Sequence, residues 1–194
     1  MQKVHIEIAG VPGVPLLTHN ERLANPSDPI ARRMKEITSK RKKTDDDHLD
    51  LARLEFEGGF YLTEDDRPGI PTWNVFRCIQ EGGKRNRLGK SIERSVQMLG
   101  TDVVPISFDG PKTVQGMWDA GCYDQRSVKV GQSKVIRTRP SFRNWSVEVD
   151  LMLLTEVLGT DDFAMAVENA GIMEGLGDYR PRFGRFDVAD MVML

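Results

Sequence analysis

The chain has 194 residues, 39% hydrophobic and 29% charged, and its 27 basic and 29 acidic side chains leave a net charge of −2. That size suits one domain with a real core, and it excludes global disorder, a histone-like polycation and an acidic tail protein. A near-neutral total does not argue against nucleic-acid binding, which depends on where cations cluster. The two cysteines, Cys78 and Cys122, form no CxxC pair, so zinc-type spacing is missing and a reducing compartment is implied. No stretch approaches the roughly 18 consecutive apolar residues of a spanning helix. The opening MQKVHIEIAG lacks the apolar run of a signal peptide. The expectation is a cytoplasmic chain with no membrane contact, no metal and no cofactor.

In chain order, Val4, Ile6 and Ile8 alternate with Lys3, His5 and Glu7, the period-two pattern of a strand with one buried face. GVPGVPLLTHNERLANPSDP reads as loop. PIARRMKEITSKRKK reads as a basic helix with Asp28 as N-cap and Pro29 at its first position. KRKK then gives way to TDDD, and two opposite charge runs with nothing apolar predict a solvated, mobile insertion over residues 39–48. LARLEFEGGFYL predicts a strand, Leu54 and Phe56 facing one way and Arg53, Glu55 and Glu57 the other. Thr72 is the expected cap of a helix bearing Val75, Phe76 and Ile79, ended by Gly82 and Gly83. Leu88, Ile92, Val96 and Leu99 predict the next helix, and VVPISF a short strand.

SVKVGQSKVIRTRP and SFRNWSVEVDLML predict two paired strands, the second with Trp145, Val147, Val149, Leu151 and Leu153 on one face. A helix from Thr160 to Met173 carries Phe163, Ala166, Val167 and Ala170 as its stripe, with Asp161 and Asp162 at its positive end. A glycine-rich loop leads into a last strand, FGRFDVADMVML. This order predicts a single domain, residues 1–194, of the α+β class: an antiparallel sheet with helices on one face.

Three segments concentrate candidate chemistry. In the loop after the last helix, Gly175, Gly177 and Gly184 bracket Asp178, Tyr179, Arg180, Pro181 and Arg182. Glycines there permit positive φ, and Arg180 and Arg182 beside free amides suit phosphate; a plain helix-to-strand turn explains the glycines as well. The second segment holds Arg126, Lys129, Lys134, Arg137, Arg139 and Arg143 with no acidic residue between Arg126 and Trp145, and with Tyr123, Phe142 and Trp145 nearby. Cations for a backbone and rings for bases are what single strands require; an edge hairpin protected by charge is the alternative, and Trp145 falls in the core register. The third, GGKRNRLGKSIER, offers Lys84, Arg85 and Arg87 but departs from GxxxxGK[ST] spacing, which speaks against ATP. None of the histidines, His5, His19 or His48, has a recognisable partner. Asp45, Asp46 and Asp47 lack a metal-loop spacing, and Cys78 reads as a buried core residue.

Gly175-Leu176-Gly177 followed by Phe183-Gly184-Arg185-Phe186 resembles the glycine-rich loop of the RAMP superfamily of CRISPR-associated RNA-binding proteins, and Gly69, Ile70, Pro71 and Thr72 look like the turn into a helix that those proteins share. The resemblance implies a ferredoxin-like, RRM-like fold and non-catalytic binding of single-stranded RNA, more than DNA. It also implies a homo-oligomer or a ribonucleoprotein subunit. A structural or interaction protein, for example of a phage, with the same fold and no nucleic acid is the alternative; a metal-independent ribonuclease using one histidine is a third.

Overall fold

The computed structural model describes residues 1–194, apart from the side chain of Val130. Strand β1 (Gln2–Gly10) buries Val4, Ile6 and Ile8, as the alternation predicts. The loop-like stretch after it holds a two-residue strand, β2 (Leu16–Leu17), and a 3-10 turn over Glu21–Ala24. Helix α1 (Pro29–Thr38) starts as expected: the Asp28 carboxylate accepts from the amides of Ile30 and Ala31.

The next element differs from expectation. Residues 45–58 form helix α2 (Asp45–Gly58), neither a charged loop nor a strand. Thr44 and Asp47 make a reciprocal capping box, and three aspartates occupy the first turn, where the helix dipole favours them. The TDDD run is therefore a helix start, and only the basic half of the 39–48 segment is non-helical. The Asp47 carboxyl is held at about 2, chiefly by the hydrogen bond from Lys40. The period-two reading failed because Leu54, Glu55 and Phe56 are all buried, which one face of a strand does not allow.

Strands β3 (Tyr61–Leu62) and β4 (Pro68–Pro71) follow, then helix α3 (Thr72–Lys84). Gly69, Ile70 and Pro71 lie in a strand, and Thr72 is the first helical residue, with no side-chain cap. Gly82 and Gly83 do not end α3; they lie inside it. A Cβ on Gly82 would sit 2.5 Å from both Ala166 O and Ala170 N, so the glycine is where a second helix packs closest. Helix α4 (Gly89–Ser95) stops earlier than its apolar spacing predicts, because Val96 begins strand β5 (Val96–Met98) on the sheet. Strands β6 (Val103–Pro105) and β7 (Ser107–Asp109) and helix α5 (Val114–Asp119) complete this half.

Strand β8 (Tyr123–Val130) turns tightly into β9 (Ser133–Leu153), one strand of 21 residues where two were expected. Pro140 does not interrupt it: β8 ends at the Tyr123↔Pro140 pair, and the missing donor falls where one partner leaves and others begin. Beyond it, Trp145, Val147, Val149, Leu151 and Leu153 are buried. Helix α6 (Thr160–Asn169) runs into a π turn over Ala170–Glu174, and β10 (Phe186–Met193) closes the chain.

The main sheet has the order β10–β1–β9 with β5 and β7 also on β9, all antiparallel. Its two β–α–β halves, β1–α3–β5 and β9–α6–β10, make the fold ferredoxin-like, of the α+β class. One sheet face, α3 and α6 share a core of Val4, Ile6, Val149, Ile79, Phe163 and Val167. Gly82→Ala would place its methyl in the α3–α6 backbone contact. The expected result in urea denaturation is a destabilisation of about 1–3 kcal/mol, although alanine is the better helix former by roughly 1 kcal/mol; a stabilised variant would contradict the contact.

Candidate nucleic-acid interface

The glycine-rich loop is shaped by what lies beneath it. Gly175, Gly177 and Gly184 adopt φ of +76°, +78° and +68°. Asp178 N–H donates to Leu17 O at 2.8 Å, Gly184 N–H to Pro15 O at 3.0 Å, and Leu176 N–H to Gly184 O at 2.8 Å. A Cβ on Gly177 would stand 2.3 Å from Leu17 O, and one on Gly184 1.7 Å from Leu176 O. Glycine is thus required twice over, by conformation and by close approach, to the β2 segment at Gly177 and to the loop's own backbone at Gly184. Of the loop amides expected to cradle phosphate, those of Gly175, Leu176, Asp178, Phe183 and Gly184 are bonded within the protein and so are not free for it. What the loop does offer is its tip, where Arg180 and Arg182 are exposed.

The hairpin β8–β9 docks on this loop through its arginines. Arg139 is buried, its side chain only 7% exposed, and it pairs with Asp178. Arg126 pairs with Asp124 and lies 4.4 Å from the Phe183 ring centroid and 5.1 Å from that of Tyr179. Arg139 is 5.7 Å from the same Tyr179 ring, so guanidinium and aromatic groups alternate across the contact. Arg137 reaches the other way, to Glu55 of α2, which also accepts from Thr138 N–H at 2.9 Å. Burial pushes the Asp178 carboxyl up, but the Arg139 hydrogen bond and charge outweigh it and hold the group below the ordinary carboxylate range. The Asp124 hydrogen bond raises the Arg126 guanidinium further.

The basic hairpin is therefore not one cationic surface. Arg126, Arg137 and Arg139 each face a carboxylate, and Arg139 as a phosphate ligand is overturned by its burial. Lys129 and Lys134 sit directly opposite each other near the turn, exposed, on the opposite face from the arginines, and neither makes an ion pair among the described side chains. Like charges placed across a strand pair cost stability, so the tip keeps them at a disadvantage. Arg143 lies farther along, exposed, at a cavity it shares with Pro15 and Asn144. Trp145 is 2% exposed, as its core register predicts, and the other rings near the hairpin are not free for bases either: Phe142 is 0% exposed and Tyr123 stacks on Trp118. Lys84 is the last residue of α3 and Arg85 its C-cap, and Arg87 lies in the turn just before the start of α4. Lys84 pairs with Glu81, and Arg85 lies against Met173.

The uncovered face of the sheet carries the opposite charge. Glu7 stands between Glu148 and Asp190 on its two neighbouring strands, and His5 stands opposite Asp150. Asp150 is held below its ordinary range by hydrogen bonds from Lys3 and then His5. With no ring among Lys3, His5, Glu7, Glu148 and Asp150 except the imidazole tied to Asp150, this face repels a phosphate backbone and has no free aromatic face for a base.

Sequence reasoning missed Glu55, because a strand reading pointed it to solvent, and it left Asp178 without a partner. The alternation of Asp124 and Arg126, two apart on one strand face, was a legible signal for the third pair. Next to the Arg139–Asp178 pair, Thr18 Oγ1, His19 Nδ1 and one Arg139 nitrogen are buried without partners. Burial lowers the His19 pKa, Asp178 opposing and Arg139 reinforcing the shift. Cys78 is buried as expected, and burial pushes its thiol up to about 12, so it stays un-ionised.

No family model matches the sequence, and no curated protein matches it. Among solved structures, a chain in the cryo-EM structure of the type III-B Cmr-beta bound to cognate target RNA is similar in fold, with a TM-score of 0.52 at 12% identity. The match covers 100% of this chain and 60% of that one, so this chain spans about three-fifths of that neighbour's length. The likeness is one of fold, and it agrees with the ferredoxin-like architecture.

Arg139→Met should destabilise the chain by about 2–3 kcal/mol in denaturant, somewhat under the range for a fully buried pair because Asp178 keeps some solvent. Since the folded Asp178 pKa is lowered, its contribution is complete above the ordinary carboxylate pKa of about 4 and fades as pH falls below it. The stability difference between parent and variant should therefore shrink on acidification, which chemical denaturation at several pH values measures.

Proposed function

We propose that this chain binds single-stranded RNA as a non-catalytic subunit of a larger ribonucleoprotein, through the tip of the glycine-rich loop and the adjoining hairpin. The observation that carries this reading is the sorting of charge. The three hairpin arginines that are buried or half-buried, Arg126, Arg137 and Arg139, are each matched to a carboxylate, whereas Arg180 and Arg182 are exposed and make no ion pair among the described side chains. Unmatched cations on a rigidly tethered loop suit a polyanion, because their charge is not already neutralised inside the protein.

Three features support the assignment. The loop is fixed by the Arg139–Asp178 pair and its own hydrogen bonds, so little ordering entropy is lost on binding. Arg143 adds an exposed cation farther along β9, and Lys129 and Lys134 add two at the hairpin turn, on its other face. The acidic open sheet face turns a polyanion away from the other side. The fold neighbour belongs to a structure that contains target RNA, which favours RNA and an assembly over the alternatives.

Arg180→Ala/Arg182→Ala should leave stability within about 0.5 kcal/mol, since both side chains are exposed. It should weaken binding of single-stranded RNA and reduce the slope of log K against log salt by roughly one unit for each phosphate no longer held. Single-stranded RNA, single-stranded DNA and duplex at two salt concentrations are the ligands to compare. A folded double variant with the parent's affinity and slope would return the loop to a purely structural role.

A further inference from the structure

Trp145 is 2% exposed and Trp118 is partly buried against Tyr123, but Trp73 is 61% exposed. It is the second residue of α3, at the end of the helix nearest β4. Its indole is backed by Phe76, with ring centroids 5.0 Å apart and planes 23° off parallel. The Arg77 guanidinium stands 5.8 Å from the indole centroid, and its Nη1 donates to Gln80 Oε1 at 2.6 Å. Gln80 is itself 4% exposed and donates from Nε2 to Gly89 O at 3.3 Å. Arg77 is thus positioned by a buried amide and leaves its charge unneutralised by any ion pair among the described side chains.

The surroundings form a groove. Beside Trp73, a hollow reaches Val96 and Met98 of β5; past Arg77, Gln80 and Glu93 it continues between α3 and α4 to Arg87 and Lys90. Arg87 and Lys90 are exposed and form no ion pair among the described side chains. Cations thus outnumber Glu93 along the groove, while its mouth is an immobilised, solvent-facing indole. A free aromatic face next to fixed cations is the pairing that single-strand binding uses, the ring for a base and the cations for the flanking backbone. The hairpin, where rings and cations were expected together, lacks the free ring; this groove has both.

We propose that the α3–α4 groove is a second contact for single-stranded RNA, in which one base stacks on Trp73 while Arg77, Arg87 and Lys90 hold adjacent phosphates. This rests on the RNA-binding reading of the loop and extends it to the other side of α3. The helix lies between the two surfaces, for Glu81 on its loop side lines a cavity with Asp178 and Arg180. One strand crossing α3 would touch both.

The test uses the full chain and oligoadenylate, read by tryptophan fluorescence and by anisotropy of labelled RNA. Stacking on the one exposed indole should quench its emission. Trp73→Ala should abolish that quench and weaken binding by about fivefold to a hundredfold, and Trp73→Phe should restore most of the affinity because a ring remains. Folding is unaffected in either variant if circular dichroism and denaturation midpoints match the parent. Parent affinity in a folded Trp73→Ala variant, with weakened affinity in Arg180→Ala/Arg182→Ala, overturns the groove and keeps the loop. The converse pattern keeps the groove and overturns the loop. A parent that binds no single strand overturns both. A dimer of the parent that Trp73→Ala dissolves, without change in RNA affinity, assigns the groove to a second copy and overturns the proposal.

Discussion

Arg139 stands where β9 stops being part of the domain sheet and becomes one arm of a hairpin, and its pair with Asp178 decides how the two halves of the candidate site meet. Asp178 sits in a loop held down by N–H groups that donate to the carbonyls of Pro15 and Leu17, so the N-terminal segment, the hairpin and the post-α6 loop converge on one ion pair. Removing Asp178 leaves the Arg139 charge buried, and removing Arg139 leaves a half-buried carboxylate unpaired, which is why both belong to the frame rather than to the ligand surface. The glycines serve the same end: without a Cβ, Gly177 lets the loop backbone lie directly on the β2 segment, and Gly175 and Gly184 let the two ends of the loop close on each other.

From that frame comes a division of charge across the molecule. Carboxylates gather on the uncovered sheet face, where Glu7 is flanked by Glu148 and Asp190. Arginines that need neutralising are neutralised at the hairpin base by Asp124, Glu55 and Asp178. Exposed cations outside these pairs lie at the loop tip, at the hairpin turn and along the α3–α4 groove, and also on and just after α1, at Arg32, Arg33, Lys35, Arg41 and Lys42. A net charge of −2 hides this arrangement, because the total averages opposite faces. The sheet surface that RNA-recognition folds use for stacking is here acidic and without a free aromatic face, so any polyanion must meet the chain elsewhere.

Much of the fold was legible in the residues. The alternations in β1 and in the second half of β9, the Asp28–Pro29 helix start, the apolar stripe of α6 and the positive φ of Gly175 and Gly177 follow from period, capping and backbone sterics, which are local. Three of the misread stretches show why the rest was not. LARLEFE alternates like a strand, but a capping box upstream and burial on consecutive positions make it helix. Gly82 and Gly83 look like a stop, but the second helix they admit is far along the chain. Val96 fits a helical stripe, but the edge of β9 recruits it to the sheet.

The sequence by itself determined the class of fold, the loop that requires glycine, and the presence of three cationic segments, because each depends on spacing or on what one residue type permits. Which cations remain free was decided only by the tertiary structure. Charge neutralisation depends on neighbours in space: Glu55 lies 82 positions from Arg137 and Asp178 lies 39 from Arg139. The same holds for rings, since Trp145 and Trp73 are chemically alike and only packing buries one and leaves the other in solvent. Side-chain type sets what a residue is able to bind, and the fold sets whether that capacity is already used.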